Sequence, residues 1–195
     1  MRVRLACFAS GIVLVAASAH AQAPGAGIAA NLQFQYNALK ANLTQSADKV
    51  SDAEFGFRVG TAPETRTYGQ LFGHVANAQF AQCAGAKGVA NPNQGKNLEQ
   101  LTTKADVVKA LADSFAFCDD AFSALTDQSA LELVTGGRGG PTARAVGLYG
   151  LVVHSNEMYG TAAAYLRSKN IVPPSTENQG RRGGARGDGR GRGGQ

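Results

Sequence analysis

The sequence predicts an all-α fold, a four-helix bundle formed by residues 22–178. Four segments place apolar residues three and four positions apart, which is the spacing of one helix face. Loops rich in Asn, Gly and Pro separate these segments, and no alternating pattern long enough for a useful strand appears. Four such helices joined by loops indicate a bundle, and the region is long enough for one domain with a single core.

The first two helices have clear apolar faces. Thr67 and Gln70 have the Thr-x-x-Gln form of a capping box, which satisfies backbone N–H groups at a helix start. A second helix is therefore predicted from about residue 68 to residue 85. In the first helix the predicted inward face comprises five residues: Ile28, Leu32, Tyr36, Leu39 and Leu43.

The third and fourth helices follow the same apolar spacing. Thr103 together with Asp106 begins a third helix, which continues through Phe122. The fourth helix runs from about residue 142 to residue 168 and ends before a Pro-Pro pair, since proline disfavours the helical conformation of the residue before it. Glycine inside a helix costs about 1 kcal/mol relative to alanine. Two glycines in the fourth helix therefore predict close approach of a neighbouring element: Gly147 and Gly150.

The segments between the helices are predicted as connections. Residues 86–102 are rich in Asn, Gly and Lys and form a polar loop. Residues 136–141 form a flexible glycine-rich connection, because they lack the Gly-Lys-Ser/Thr ending of a phosphate-binding loop and no strand precedes them.

Both ends of the chain have compositions unlike a folded domain. Residues 1–21 have the features of a cleaved secretion signal: Arg2 and Arg4 at the start, an apolar run over 5–17 and a small-x-small cleavage site. We therefore expect export to the periplasm or the extracellular space. Residues 179–195 contain eight glycines, five arginines and no apolar residue larger than alanine. A disordered tail is expected there.

The charge balance argues against a nucleic-acid partner. Of the net charge of +5, the signal contributes +2 and the tail +4, which leaves the predicted domain at −1. The high isoelectric point therefore does not indicate a basic surface on the domain. No other stretch approaches about 18 uninterrupted apolar residues, so no transmembrane segment is expected in the mature chain.

Two cysteines remain after cleavage, because Cys7 leaves with the signal. Cys83 and Cys118 form an even pair in an oxidising compartment, which favours a disulfide. Closing this loop would restrict the unfolded chain by about 3 to 4 kcal/mol. The alternative is a pair of buried free thiols.

Two histidines remain as candidates for chemistry. His74 lies three residues after Leu71, and His154 lies three residues after Leu151, so each is beside the apolar face of its helix. A bundle that turns both inward would allow neutral imidazoles on facing helices to bind one metal ion. The alternative is two unrelated histidines, each satisfied by its own hydrogen bonds.

The motifs around these histidines resemble those of the DinB/YfiT-like superfamily. Residues 66–79 (Arg-Thr-Tyr-Gly-Gln-Leu-Phe-Gly-His-Val-Ala-Asn-Ala-Gln) are similar to its second-helix motif, and residues 154–160 are similar to its fourth-helix motif. Residues 165–167 (Tyr-Leu-Arg) and the aromatic segment 55–58 match it as well. The resemblance spans nearly all of residues 30–175.

This resemblance implies an up-down-down-up four-helix bundle that holds a divalent metal, often nickel or zinc, with three histidines in an open coordination sphere. Some members are thiol-dependent transferases or isomerases. The chain departs from the pattern at Met158, which stands four residues after His154 where the third histidine is expected.

Three consequences of this substitution remain open. Residues four apart share a helix face, so Met158 occupies the direction of the missing imidazole. The site then holds no metal, recruits Glu157 as a carboxylate ligand, or prefers copper(I), because a thioether is a poor ligand for zinc and nickel.

Three functions follow as hypotheses. The first is an exported bundle with a modified metal site formed by His74, His154 and Met158, which takes an unknown small molecule and whose catalysis is unproven. The second is a metal-free binding or structural module of the same fold. The third, by family analogy alone, is a thiol-dependent transferase. A homodimer is compatible with each of them.

Overall fold

The computed structural model of the protein describes residues 27–135 and 140–179. The predicted signal, residues 1–21, lies outside the described residues, and so does nearly all of the predicted tail, residues 179–195. Within the described ranges, none of the helices is long and apolar enough to cross a membrane.

Helices form almost all of the regular structure, and the prediction of a four-helix bundle is confirmed. Two 3-10 turns lie in the loops, at Asp52–Glu54 and Leu98–Gln100. A two-stranded antiparallel ribbon pairs β1 (Leu133–Val134) with β2 (Thr142–Ala143). The helices are α1 (Ile28–Asp48), α2 (Tyr68–Lys87), α3 (Lys104–Ser123), the single-turn α4 (Asp127–Ala130) and α5 (Arg144–Ser168).

The contacts at the helix ends establish the up-down-down-up topology. The hydroxyl of Tyr68, at the start of α2, donates to the carbonyl of Ser46 near the end of α1, so these helices run in opposite directions. Lys104, at the start of α3, donates to the carbonyl of Val50 at that same end. The hydroxyl of Tyr165, near the end of α5, donates to the Arg66 carbonyl just before α2. Helices α2 and α3 are therefore parallel to each other, and α5 is antiparallel to them and parallel to α1.

Four of the five residues predicted on the inward face of α1 are buried, and Ile28 is not. Ile28 is 51% exposed because it is the first residue of the helix, at the end of the bundle. Tyr36 is the centre of this face: its ring stacks on Phe122 with centroids 3.9 Å apart. Burial, together with the hydrogen bond to Asp119, raises the pKa of Tyr36 far above its ordinary range.

A disulfide joins α2 to α3 near their carboxyl ends. Cys83 and Cys118 are both fully buried, and their Cα atoms are 5.4 Å apart. The two parallel helices, which are adjacent in sequence but separated by a long loop, are thereby covalently joined. The structure thus contains the pairing that the sequence favours over two free thiols.

The fourth long helix begins later than the sequence predicts. Residues 142–143, predicted as helical, form β2, and α5 begins at Arg144. Two-residue strands are too short to show an alternating pattern, so the sequence does not reveal their pairing. The guanidinium of Arg144 then fixes the helix start through hydrogen bonds to the carbonyl of Ala86 and the carboxylate of Glu132.

The close approach predicted at glycines of α5 occurs instead at glycines of α2. A Cβ on Gly147 would have no neighbour within 4 Å, and one on Gly150 would make only an ordinary contact. A Cβ on Gly73, in contrast, would lie 2.7 Å from the carbonyl carbon of Leu98. The turn Leu98–Gln100 therefore rests directly on the backbone of α2.

We expect Gly73→Ala to destabilise the protein by about 1 to 3 kcal/mol, because the added methyl group must displace backbone. Gly160→Ala is the matched control, because Gly160 also lies inside a long helix but a Cβ there would have no neighbour within 4 Å. It should stabilise the helix by about 0.5 to 1 kcal/mol. Urea unfolding followed by circular dichroism measures both; equal effects of the two changes would contradict the packing described.

Candidate metal centre

The first candidate residue, His74, lies in the second turn of α2. The predicted capping box defines where this helix begins: Gln70 N–H donates to the Thr67 hydroxyl at 3.2 Å, and Thr67 N–H donates to the Gln70 side chain at 2.8 Å. With the helix start fixed by these two bonds, His74 is directed toward α5. Its side chain is 25% exposed, so it is partly accessible to solvent at the surface of the bundle.

The second candidate residue, His154, meets His74 across the contact between α2 and α5. The ring centroids are 5.1 Å apart and the ring planes are inclined by 70°. The His154 side chain is 27% exposed, similar to that of His74. Two imidazoles separated by 80 positions in sequence thus lie side by side, each partly accessible to solvent.

The separation of the two rings fits a shared metal ion. An imidazole nitrogen binds zinc at about 2.0 to 2.1 Å, which places the ring centre about 3 Å from the ion. Two such rings in a tetrahedral arrangement have centres about 5 Å apart. The observed distance between His74 and His154 matches this value.

A carboxylate that the sequence analysis did not identify holds His74 in place. Glu99, in the turn Leu98–Gln100, contacts Nδ1 of His74 through Oε1 at a distance of 2.7 Å. Its other oxygen, Oε2, accepts from Nε of Arg66 at 2.8 Å. Asn97 precedes Glu99 by two residues and is typical of a local turn, but no local signal pairs position 99 with position 74.

The environment shifts the pKa values of two groups in this cluster. Partial burial opposes ionisation of Glu99, but hydrogen bonds from Arg66 and His74 outweigh it and lower the pKa of the carboxyl. Burial lowers the pKa of His154, and the positive charge of a protonated His74 lowers it further. Glu99 is therefore ionised and His154 neutral near pH 7, which are the protonation states that favour cation binding.

The other two predicted ligands lie on α5 but differ in position. Met158 is 9% exposed and belongs to the hydrophobic core. Glu157 is 70% exposed, and its nearer oxygen lies 3.8 Å from Nδ1 of His154. Among residues 27–135 and 140–179, no group of three or more His, Cys, Asp or Glu side chains could hold one ion. Of the predicted ligands, the structure thus brings His74 and His154 together, whereas Met158 packs in the core and Glu157 is exposed.

Fold and site together define a helical-bundle protein with paired histidines between its second and last long helices. The sequence model of the DinB superfamily matches residues 35–162, and the chain belongs to this superfamily. The resemblance seen in the sequence motifs is thereby confirmed.

Solved structures show the same fold at low sequence identity. A DinB-like protein from Bacillus cereus has a TM-score of 0.60 and 16% identity, over 73% of this chain and 93% of that one. A conserved protein from Enterococcus faecalis has a TM-score of 0.57 and 13% identity, over 72% of this chain and 95% of that one. A mutant of the mycothiol-dependent maleylpyruvate isomerase has a TM-score of 0.51 and 15% identity, over 67% and 60%. No curated protein matches the chain.

In the metal-free protein, we expect His154 to titrate below its ordinary pKa of 6.5. The stability contributed by its neutral form is complete above that ordinary value and is lost as the pH falls through the folded pKa. His74→Gln should raise the pKa of His154, because a neighbouring positive charge is removed. Glu157→Gln should lower it further, because a favourable negative charge is removed. Proton NMR titration of the His154 ring measures both changes. If the two variants shifted the pKa of His154 in the same direction, the opposite effects ascribed to His74 and Glu157 would be contradicted.

Proposed function

We propose that this protein is an exported DinB-type bundle that binds a divalent metal ion between His74 and His154 and presents it to a small molecule. The observation that carries the proposal is the 5.1 Å separation of the two ring centroids. Export is supported by the composition of residues 1–21, and by a disulfide suited to an oxidising compartment.

The side chains have different roles in the proposed site. His74 and His154 would hold the ion, and Glu99 with Arg66 would orient the first of these imidazoles. Met158 closes the core side of the cleft with an apolar group. Lewis-acid polarisation of a bound ligand is the chemistry that such an ion supplies.

A metal-free binding or structural module is the second candidate function. Two observations favour it: Met158 is packed in the core, and no cluster of three His, Cys, Asp or Glu ligands exists in the described part of the chain. The thiol-dependent reading rests on the fold that the chain shares with a mycothiol-dependent isomerase, and no side chain identified at this site selects a thiol.

Metal titration of the mature, untagged protein tests the main proposal. We expect one equivalent of nickel or zinc to bind, and we expect His74→Ala and His154→Ala each to abolish binding, because each removes one of two nitrogen donors. Isothermal calorimetry measures the stoichiometry. Glu54→Ala is the control, since this exposed carboxylate pairs with Lys169 away from the cleft. A wild-type protein that is folded but binds neither nickel, zinc nor copper(I) would support the metal-free module.

Restoring the third histidine tests the role of position 158. Met158→His should raise the affinity for zinc and nickel at least tenfold, because an imidazole replaces a thioether that binds these ions poorly. The gain should disappear when His74→Ala is added. Thermal unfolding establishes that the variant folds despite the added polar group in the core. Unchanged affinity in a folded variant would show that position 158 does not face the ion.

A further inference from the structure

We infer that Glu99 is a positioning residue that fixes the tautomer and orientation of His74. The inference rests on the proposed function only where it concerns metal affinity, because the contact exists in the metal-free protein. Glu99 lies on the turn Leu98–Gln100, 25 positions after His74, and no helix periodicity includes it. Its role is visible only from the folded arrangement.

The chemistry of the contact determines where the proton lies. A carboxylate is only an acceptor, and Glu99 already accepts from the Arg66 guanidinium at its other oxygen, so the proton of a neutral His74 lies on Nδ1, 2.7 Å from Oε1. The lone pair is then on Nε2, for which the described residues provide no hydrogen-bond partner. Nε2 is consequently the nitrogen available to a cation.

The carboxylate itself is held on its other side. Arg66 occupies the second oxygen at 2.8 Å, and the backbone of Arg66 is in turn fixed by the hydroxyl of Tyr165, whose bond to its carbonyl is 2.6 Å long. A Glu side chain tied at both oxygens has few rotamers left. His74 therefore meets a rigid acceptor.

The surface of α2 builds the turn that carries Glu99. Asn77, one helical turn after His74, accepts from Leu98 N–H at 3.1 Å and donates to the side chain of Asn97 at 3.0 Å. Gly73 lacks a Cβ and so allows the turn to contact the helix backbone. The residues on either side of His74 on α2 thus position the carboxylate that orients it.

Among the described residues, no carboxylate supports His154 as Glu99 supports His74. Nδ1 of His154 lies 3.8 Å from Glu157, beyond hydrogen-bonding distance, and Glu157 is largely exposed. The two imidazoles are therefore unequal: one is locked by a carboxylate and the other is free to exchange tautomers. This inequality provides an internal reference for the experiment.

Long-range nitrogen–proton NMR on protein labelled with ¹⁵N-histidine tests the inference in the metal-free state at about pH 8, above the ordinary pKa of an imidazole. Wild-type His74 should be in the Nδ1–H form, and His154 a mixture of the two forms. Glu99→Ala should convert His74 to a mixture, and Glu99→Gln should favour the Nε2–H form, because Arg66 takes the single amide oxygen and the amide N–H then faces Nδ1 of His74. Glu157→Ala should leave His74 unchanged. A His74 tautomer that Glu99→Ala does not alter would overturn the inference.

Metal affinity provides the second readout. Loss of an outer carboxylate typically lowers metal affinity about 10- to 100-fold. We expect a loss of at least that size in both Glu99→Ala and Glu99→Gln, because neither keeps the proton on Nδ1, with Glu54→Ala equal to wild type. If the tautomer responds as expected but the wild type binds no metal, the positioning role stands and the proposed metal function fails. If metal binds with equal affinity in wild type and Glu99→Ala, the metal proposal stands and the positioning role fails.

Discussion

The antiparallel packing of α2 against α5 is the constraint on which the rest of the site depends. Each end of α2 is tied to α5: the hydroxyl of Tyr165 bonds the Arg66 carbonyl at one end, and the guanidinium of Arg144 bonds the Ala86 carbonyl at the other. Two fixed ends leave little freedom for the helices to slide. The two histidines, placed between these ties, therefore meet at a defined height in the bundle.

Helix α2 is also the element that joins the other layers. Its inner face carries Cys83, which links it to α3, and its outer side carries Gly73, on which the turn Leu98–Gln100 rests. The close contact at Gly73 and the disulfide at Cys83 both hold α2 against its neighbours. The packing of α2 thus contributes both to the core and to the position of the candidate site.

The features that the sequence predicted well are local ones. Helix faces and capping boxes depend on residues within one or two turns, so the start of α2 at Tyr68 follows from local sequence. The start of α5 and the location of the tight glycine contacts depend on residues far away in the chain. The prediction of a close neighbour at Gly147 was wrong for this reason: a glycine in the sequence does not show whether its Cα faces solvent or another element. Glu99 was missed for the same reason: it lies in a polar loop, where no period indicates which element it contacts.

The exchange of a histidine for Met158 affects the chemistry of the site more than its shape. The core side of the cleft keeps a side chain of suitable volume, so the bundle retains its packing while it loses a nitrogen donor. An ion held by two imidazoles has a lower affinity than one held by three, and more of its coordination positions are open to an external ligand. Because His154 is already neutral near pH 7, protons compete little for that nitrogen. In the proposed metal site, the affinity would therefore depend on how well His74 is oriented, which is the role inferred for the Glu99 carboxylate.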